Sequence, residues 1–189
     1  MKKMILWAVA MMMQLSVMAQ EAPAIEVNEN GAYELKEVVE VAGASASTLY
    51  LRAMEALSGW TGADGKSSAN IDFQDKESGV VIYKGKYYLT YYRQILNGWK
   101  LYADIALKVR VKDGRAQVTV TVPTITGYFD GRPPMTDSKA IGEIVEYIKE
   151  KGVKNRPSHK AIALVPAAAA SVLESMKEAL TKATDDEDF

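Results

Sequence analysis

From Trp99 to Val111 every second residue is apolar. Trp99, Leu101, Ala103, Ile105, Leu107, Val109 and Val111 alternate with Lys100, Tyr102, Asp104, Ala106, Lys108, Arg110 and Lys112. Side chains of a strand point alternately to its two faces, so this period predicts a long strand with one buried and one wet face. Asp113-Gly114 predicts a two-residue hairpin. On the returning strand Val118, Val120 and Val122 point in, Gln117, Thr119 and Thr121 point out, and Pro123 marks the approaching end. Upstream, residues 33–41 read as a first strand ended by Gly43. Leu49, Tyr50, Ala53, Met54, Leu57 and Trp60 recur at helical spacing behind a cap at Ser45 or Ser47, and Gly59 with residues 61–65 stops that helix.

Residues 71–75 alternate, and Glu77-Ser78-Gly79 is a turn. Residues 80–83 form a further strand that Lys84-Gly85-Lys86 turns or bulges before the tyrosine-rich run 87–92, and Asn97-Gly98 is the next turn. After a rigid loop at 130–134, Thr136 or Asp137 is expected to cap a second helix with Met135 as its staple. Ile141, Ile144, Val145 and Ile148 form its stripe, and Gly152 lies past its end. A last helical region spans residues 160–182, where Pro166 must either kink it or start its main segment.

The predicted order is strand, helix, antiparallel strands, helix, helix, with one sheet face apolar. This describes an α+β fold, a two-layer sandwich whose helices pack on one face of a curved antiparallel sheet, with a C-terminal helix added. The expected organisation is a signal peptide over 1–19, a linker over 20–32 and an α+β domain over 33–152. A C-terminal helical extension over 153–184 and an acidic tail over 185–189 complete the chain.

The leader reading rests on Lys2 and Lys3 before an apolar run from Ile5 to Val17, and on Val17-Met18-Ala19 as the cleavage motif. The run is shorter than the roughly 20 residues a spanning helix needs. Cleavage after Ala19 predicts a periplasmic or secreted protein with no membrane span. The chain has no cysteine, so neither a disulfide nor a lipid on cysteine is available, and the core must be an ordinary hydrophobic one. Net charge is −1, and loss of Lys2 and Lys3 makes it more negative by those two charges. That balance argues against non-specific binding of nucleic acid, which requires phosphate neutralisation.

Chemistry-bearing patterns are few. His159 is the only histidine, and no motif supplies it with a nucleophile or an orienting acid. A helix-start or surface position is the plain reading. Asp72, Asp75 and Glu77 lack the spacing of a calcium loop and read as a solvated turn. Gly59, Gly62 and Gly65 lack the context of a phosphate cradle. No catalytic residue, cofactor or metal is expected. Tyr83, Tyr87, Tyr88, Tyr91, Tyr92, Trp99 and Tyr102, by contrast, fall within twenty residues of one another. Strict alternation places Tyr87, Leu89 and Tyr91 on one face and Tyr88, Thr90 and Tyr92 on the other, so some rings are exposed or lie under a loop. The candidate binding face is Tyr88, Tyr92, Lys100, Tyr102 and Arg110, with Arg93 a further anchor. Cross-strand ring ladders that only stabilise the sheet are the alternative.

The strand with Val38-Val39-Glu40-Val41 leads through Gly43 into a serine-capped helix. Asp75-Lys76-Glu77-Ser78-Gly79, Lys84-Gly85-Lys86 and the closing Val111-Lys112-Asp113-Gly114-Arg115 come after it. Together with a leader ending in Ala19-Gln20, this succession over residues 33–152 resembles an exported Bacteroidetes domain-of-unknown-function family, number 4468. That family has a TATA-box-binding-protein-like fold. The resemblance implies a curved antiparallel sheet backed by helices and no established activity. The expected function is a non-enzymatic binding or interaction module of the cell envelope, holding an unknown protein, glycan or small ligand. Two alternatives stand beside it. One is a structural protein that self-associates through the alanine run 167–170, which leaves a homo-oligomer open. The other is an uncharacterised hydrolase using Asp72, Asp75 or His159.

Overall fold

The computed structural model describes residues 25–59 and 70–182. The leader, Trp60 and the glycine-rich stop after it, and the acidic tail lie outside the described residues. Among the described residues six strands form one antiparallel sheet: β1 (Tyr33–Glu40), β2 (Asn70–Asp75), β3 (Val80–Arg93), β4 (Gly98–Lys112), β5 (Arg115–Phe129) and β6 (Met135–Ala140). The order is β1-β5-β4-β3-β2, and β6 also pairs with β5. The same residues hold four α-helices, α1 (Ala46–Ser58), α2 (Ile141–Lys151), α3 (Pro157–Ala161) and α4 (Val165–Thr181). The fold class is α+β, as the alternation along β4 and β5 implies.

The core lies between the sheet's inner face and the helices. Leu101, Ala103, Ile105, Leu107, Val109 and Val111 of β4 are buried there with Val118, Val120 and Val122 of β5. Burying a side chain of this kind contributes about 1.5–3 kcal/mol. α1 contributes Leu49, Tyr50, Ala53 and Leu57. Its first turn is fixed twice: the Ser45 side chain accepts from the Thr48 N–H, and Asp113 of the β4–β5 hairpin accepts from the Ala46 N–H at 2.8 Å. Arg52 donates to the Leu180 carbonyl at 2.9 Å, tying α1 to the end of α4.

Several boundaries differ from the sequence reading, each for a physical reason. Pro123 does not end its strand. Thr121 faces Ala106 and Thr124 faces Asp104, so Val122 and Pro123 together oppose Ile105 in a bulge. A bulge is where a strand tolerates proline. The inward positions of β5 change parity there, from Val118, Val120 and Val122 to Ile125 and Gly127. β1 pairs with residues 115–122 of β5 and β6 with 124–129, so the two share one edge of β5 end to end. Residues 135–140 are therefore strand, satisfying the edge of β5, and do not begin a helix at Thr136 or Asp137. α2 starts at Ile141, behind Ala140 with no side-chain cap.

Lys84-Gly85-Lys86 neither turns nor bulges β3. The ring of Tyr83 lies over Gly85 where a Cβ would stand, and pairing with β4 runs straight through. The irregularity lies between Tyr88 and Thr90. The stretch read as linker is packed from Ile25 onward: Ile25 and Ala32 are buried, and Gly142 at the start of α2 donates to the Gly31 carbonyl at 2.8 Å. Pro166 opens the main C-terminal segment, after a 3-10 turn at Ile162–Leu164. α4 packs on β5, β1 and α1, which makes it part of the helical layer. Ala168 and Ala169 of the alanine run are buried in the chain's own core, so that pair is not a free stripe for self-association.

Candidate functional site

The bulge in β3 decides which tyrosines are open. Before it, Tyr87 pairs with Ala103 and Tyr88 with Tyr102. After it, Thr90 pairs with Leu101, Tyr91 with Lys100 and Tyr92 with Trp99. Residues directly opposite in a ladder share a face, so Tyr88 and Tyr91 point outward while Tyr87 and Tyr92 turn toward the helices. The placement of Tyr92 on the candidate face is thereby corrected. Its hydroxyl donates to Asn155 at 2.7 Å, and Lys160 stands over its ring.

Tyr128 takes the vacated role. Tyr88, Tyr102 and Tyr128 form a row across β3, β4 and β5, each adjacent pair edge-to-face with centroids 5.6 Å apart. The ammonium of Lys86 lies 5.7 Å from the Tyr128 ring centre. Lys86 also pairs with Asp104, which accepts from Thr124 and, at 2.6 Å, from Thr126. Burial works against the Lys86 charge, but Asp104 and Tyr128 outweigh it and hold its pKa above the usual lysine value. At the same end of the sheet the β3–β4 hairpin tip presents Ile95 and Leu96, 93% and 90% exposed. Tyr91 is pinned beside them: Asp130 accepts from its hydroxyl at 2.9 Å and from the Gly98 N–H at 2.7 Å. The Gly98 contact first, then Tyr91, keeps the Asp130 carboxyl below its ordinary range.

Lys100 and Tyr102 belong to this aromatic end. Arg110 faces the same way but eight residues further along β4, about 27 Å at a strand's rise. There it borders a shallow hollow of about 310 Å³ with Lys112, Arg115 and Gln117. The face predicted from alternation is thus two patches, one aromatic and one basic. Sequence reasoning missed Tyr128, because the β5 bulge changes its parity, and Ile95-Leu96, which carry no pattern of their own.

The other candidates separate. Asp72 pairs with Lys84 at 2.9 Å. Asp75 accepts from the Glu77 and Ser78 N–H groups and from the Ser78 hydroxyl, the last chiefly lowering its pKa. Neither lines the space around His159. Among the described residues no cluster of three or more histidine, aspartate or glutamate side chains is placed to hold a metal. No described helix is long and apolar enough to cross a membrane.

His159 is not at the surface. It is 6% exposed, sits edge-to-face with Tyr147 at 5.0 Å, and its Nδ1 has no hydrogen-bond partner. Burial first, then the nearby Arg156 charge, push its pKa below the ordinary histidine value. The unfolded chain therefore takes up a proton more readily than the folded one. Stability should be full above about pH 6.5 and fall as pH drops toward the folded pKa, by at most ~1.4 kcal/mol per pH unit for one proton. Urea midpoints of the protein and of His159→Gln, compared between pH 7.5 and 5.5, check this. Parallel pH profiles for the two would refute it.

Residues 35–126, just under half of the chain, match the domain of unknown function DUF4468 with TBP-like fold. Two solved structures resemble the whole. A DUF4468 family protein from Bacteroides ovatus superposes with a TM-score of 0.58 at 17% identity, over 87% of this chain and 94% of the other. A TBP-like protein from Parabacteroides distasonis superposes with a TM-score of 0.51 at 16% identity, over 84% and 98%. At such identities the likeness speaks for the fold alone. No curated protein matches the chain.

Proposed function

We propose that this chain, whose residues 35–126 match the domain of unknown function DUF4468 with TBP-like fold, is an exported, non-enzymatic binding module of the cell envelope. Its contact surface is the aromatic end of the open sheet face, and its partner is a protein, glycan or small ligand of that compartment. The observation that carries the reading is the row Tyr88, Tyr102 and Tyr128, set beside the exposed Ile95 and Leu96. A tyrosine offers a flat apolar body and a polar tip, which suits sugar rings and protein surfaces alike. Exposed apolar groups clustered at one end of a sheet mark a contact region more than scattered ones do. The leader motif at Val17-Met18-Ala19 supports export.

A hydrolase is the weaker reading, because Asp72 and Asp75 are engaged in an ion pair and a turn and do not join His159. Self-association through the alanine run is weakened by the burial of Ala168 and Ala169.

The test is capture from native envelope extract by the protein and by a Tyr88→Ala, Tyr102→Ala, Tyr128→Ala variant shown to be folded by circular dichroism. A partner retained by the protein and lost by the folded variant is expected. Equal capture by both would overturn the assignment of this surface.

A further inference from the structure

On the helical side of the sheet, behind the aromatic end, a cleft of about 580 Å³ opens. That volume lies within the range of small-molecule sites. Its floor is the inner sheet face beyond the bulges: Trp99, Leu101, Ile125 and Gly127. Gly127 is required for that floor, since a Cβ there would stand 2.9 Å from the Trp99 ring and 3.0 Å from Leu101. The indole thus lies across glycine backbone and presents a flat apolar surface. The walls are Glu143, Ile144 and Tyr147 of α2, and Arg156 to His159 at the start of α3.

The polar groups of the cleft are unequally occupied. Lys139 and Asp137 of β6 pair with each other at 3.4 Å. Glu143 stands one turn before Tyr147 on α2. Arg156 stacks its guanidinium 5.3 Å from the Tyr147 ring centre and has no carboxylate partner among the described residues. Beside it the buried His159 keeps an Nδ1 that bonds to nothing. A neutral imidazole carries one donor and one acceptor nitrogen, and a buried one left unmatched is costly. That Nδ1 is closed to solvent, so the group open to a ligand here is the exposed Arg156, and an acceptor in the cleft would pair with its guanidinium while lying beside the imidazole.

We propose that this cleft is a binding site for a small planar aromatic carboxylate, its ring on Trp99 over Gly127 and its carboxylate on Arg156, close enough to the His159 ring to alter its surroundings. The site is independent of the open face: it uses the other side of the sheet, and none of Tyr88, Tyr102 or Tyr128 lines it.

Because His159 is the only histidine, its ring gives a single set of nitrogen and proton resonances and reports directly on the cleft. The probe is indole-3-acetate, titrated into the purified protein, with indole-3-acetamide as the uncharged counterpart. A saturable shift of the His159 signals by the carboxylate is expected, with the amide at least about tenfold weaker for want of charge-assisted bonds. Arg156→Gln should weaken the carboxylate by about tenfold while leaving the amide unchanged, which also shows that the variant is folded. Tyr102→Ala should change neither. Absence of a saturable shift, equal affinity for carboxylate and amide, indifference to Arg156→Gln, or loss of binding in Tyr102→Ala would each overturn the proposal.

Discussion

Replacing Gly79 by alanine is expected to destabilise the protein by about 2–4 kcal/mol, seen as a lower urea midpoint with an unchanged slope. Two separate costs meet at this residue. Its φ is +64°, the left-handed region that a side chain disfavours by about 1 kcal/mol. A Cβ would also stand 2.8 Å from the Val111 carbonyl oxygen and 2.9 Å from its Cγ2. The oxygen is backbone and cannot rotate away, and the Val111 N–H donates to the Gly79 carbonyl at 2.8 Å, so strand and turn are held together at the clash. Gly114 in the neighbouring hairpin separates the two costs. Its φ is +75° with nothing near the site of a Cβ. Gly114→Ala should therefore cost only about 1 kcal/mol. Equal losses for the two variants would show that the Val111 contact relaxes freely.

Glu77-Ser78-Gly79 and Asp113-Gly114 belong to the part of the fold that was legible in the sequence. So do the period of two along β4 and the serine cap before α1. Each is local: a turn needs certain residue types, and a half-buried strand needs alternation. The features that shape the candidate sites are not local. The β3 bulge falls inside Tyr87 to Tyr92, where residues of similar polarity give alternation nothing to act on. The β5 bulge at Val122 and Pro123 looked like a strand end, because proline alone does not reveal that a second partner, β6, takes over the edge. Each bulge reverses the parity of the residues C-terminal to it, which moves Tyr92 inward and brings Tyr128 outward. The cleft around His159 draws on β4, β5, β6, α2 and α3, and no spacing in the chain announces such a meeting. A buried histidine and a surface one also look alike in sequence, since burial depends on the helices that arrive around it. The resemblance carried by the turn signals reached the fold but had no means of reaching these sites, because function resides in side chains placed on a fold.

Asp104→Ala is expected to cost about 2–3 kcal/mol, for the loss of hydrogen bonds to a charged acceptor, whereas Asp104→Asn should lose about half of that. Asp104 lies beside the β5 bulge, across from Thr124, and accepts from Lys86 of β3 and from Thr124 and Thr126 of β5. Thr126 is 3% exposed and also shares a hydrogen bond with Ser138 of β6 at 2.9 Å. One carboxylate thus links four strands at the point where β1 gives way to β6 along the edge of β5. Alanine leaves the Thr126 hydroxyl with Ser138 alone, and Lys86 loses its carboxylate beside the Tyr128 ring. Asparagine keeps an acceptor oxygen of the same reach but not the charge. The ammonium of Lys86 is partly exposed, so the ion pair itself adds little, and the difference between alanine and wild type should persist in high salt. Urea unfolding of the three proteins measures the ranking. Hydrogen exchange locates it: amide protection should fall first in β6, which among the described residues pairs with β5 alone. Because Lys86 borders the aromatic row at Tyr128, the alanine variant should also weaken partner capture by the open face while leaving the His159 cleft able to bind its carboxylate. Wild-type stability in Asp104→Ala would mean that the threonines find other partners and that the strand junction is held by pairing and packing alone.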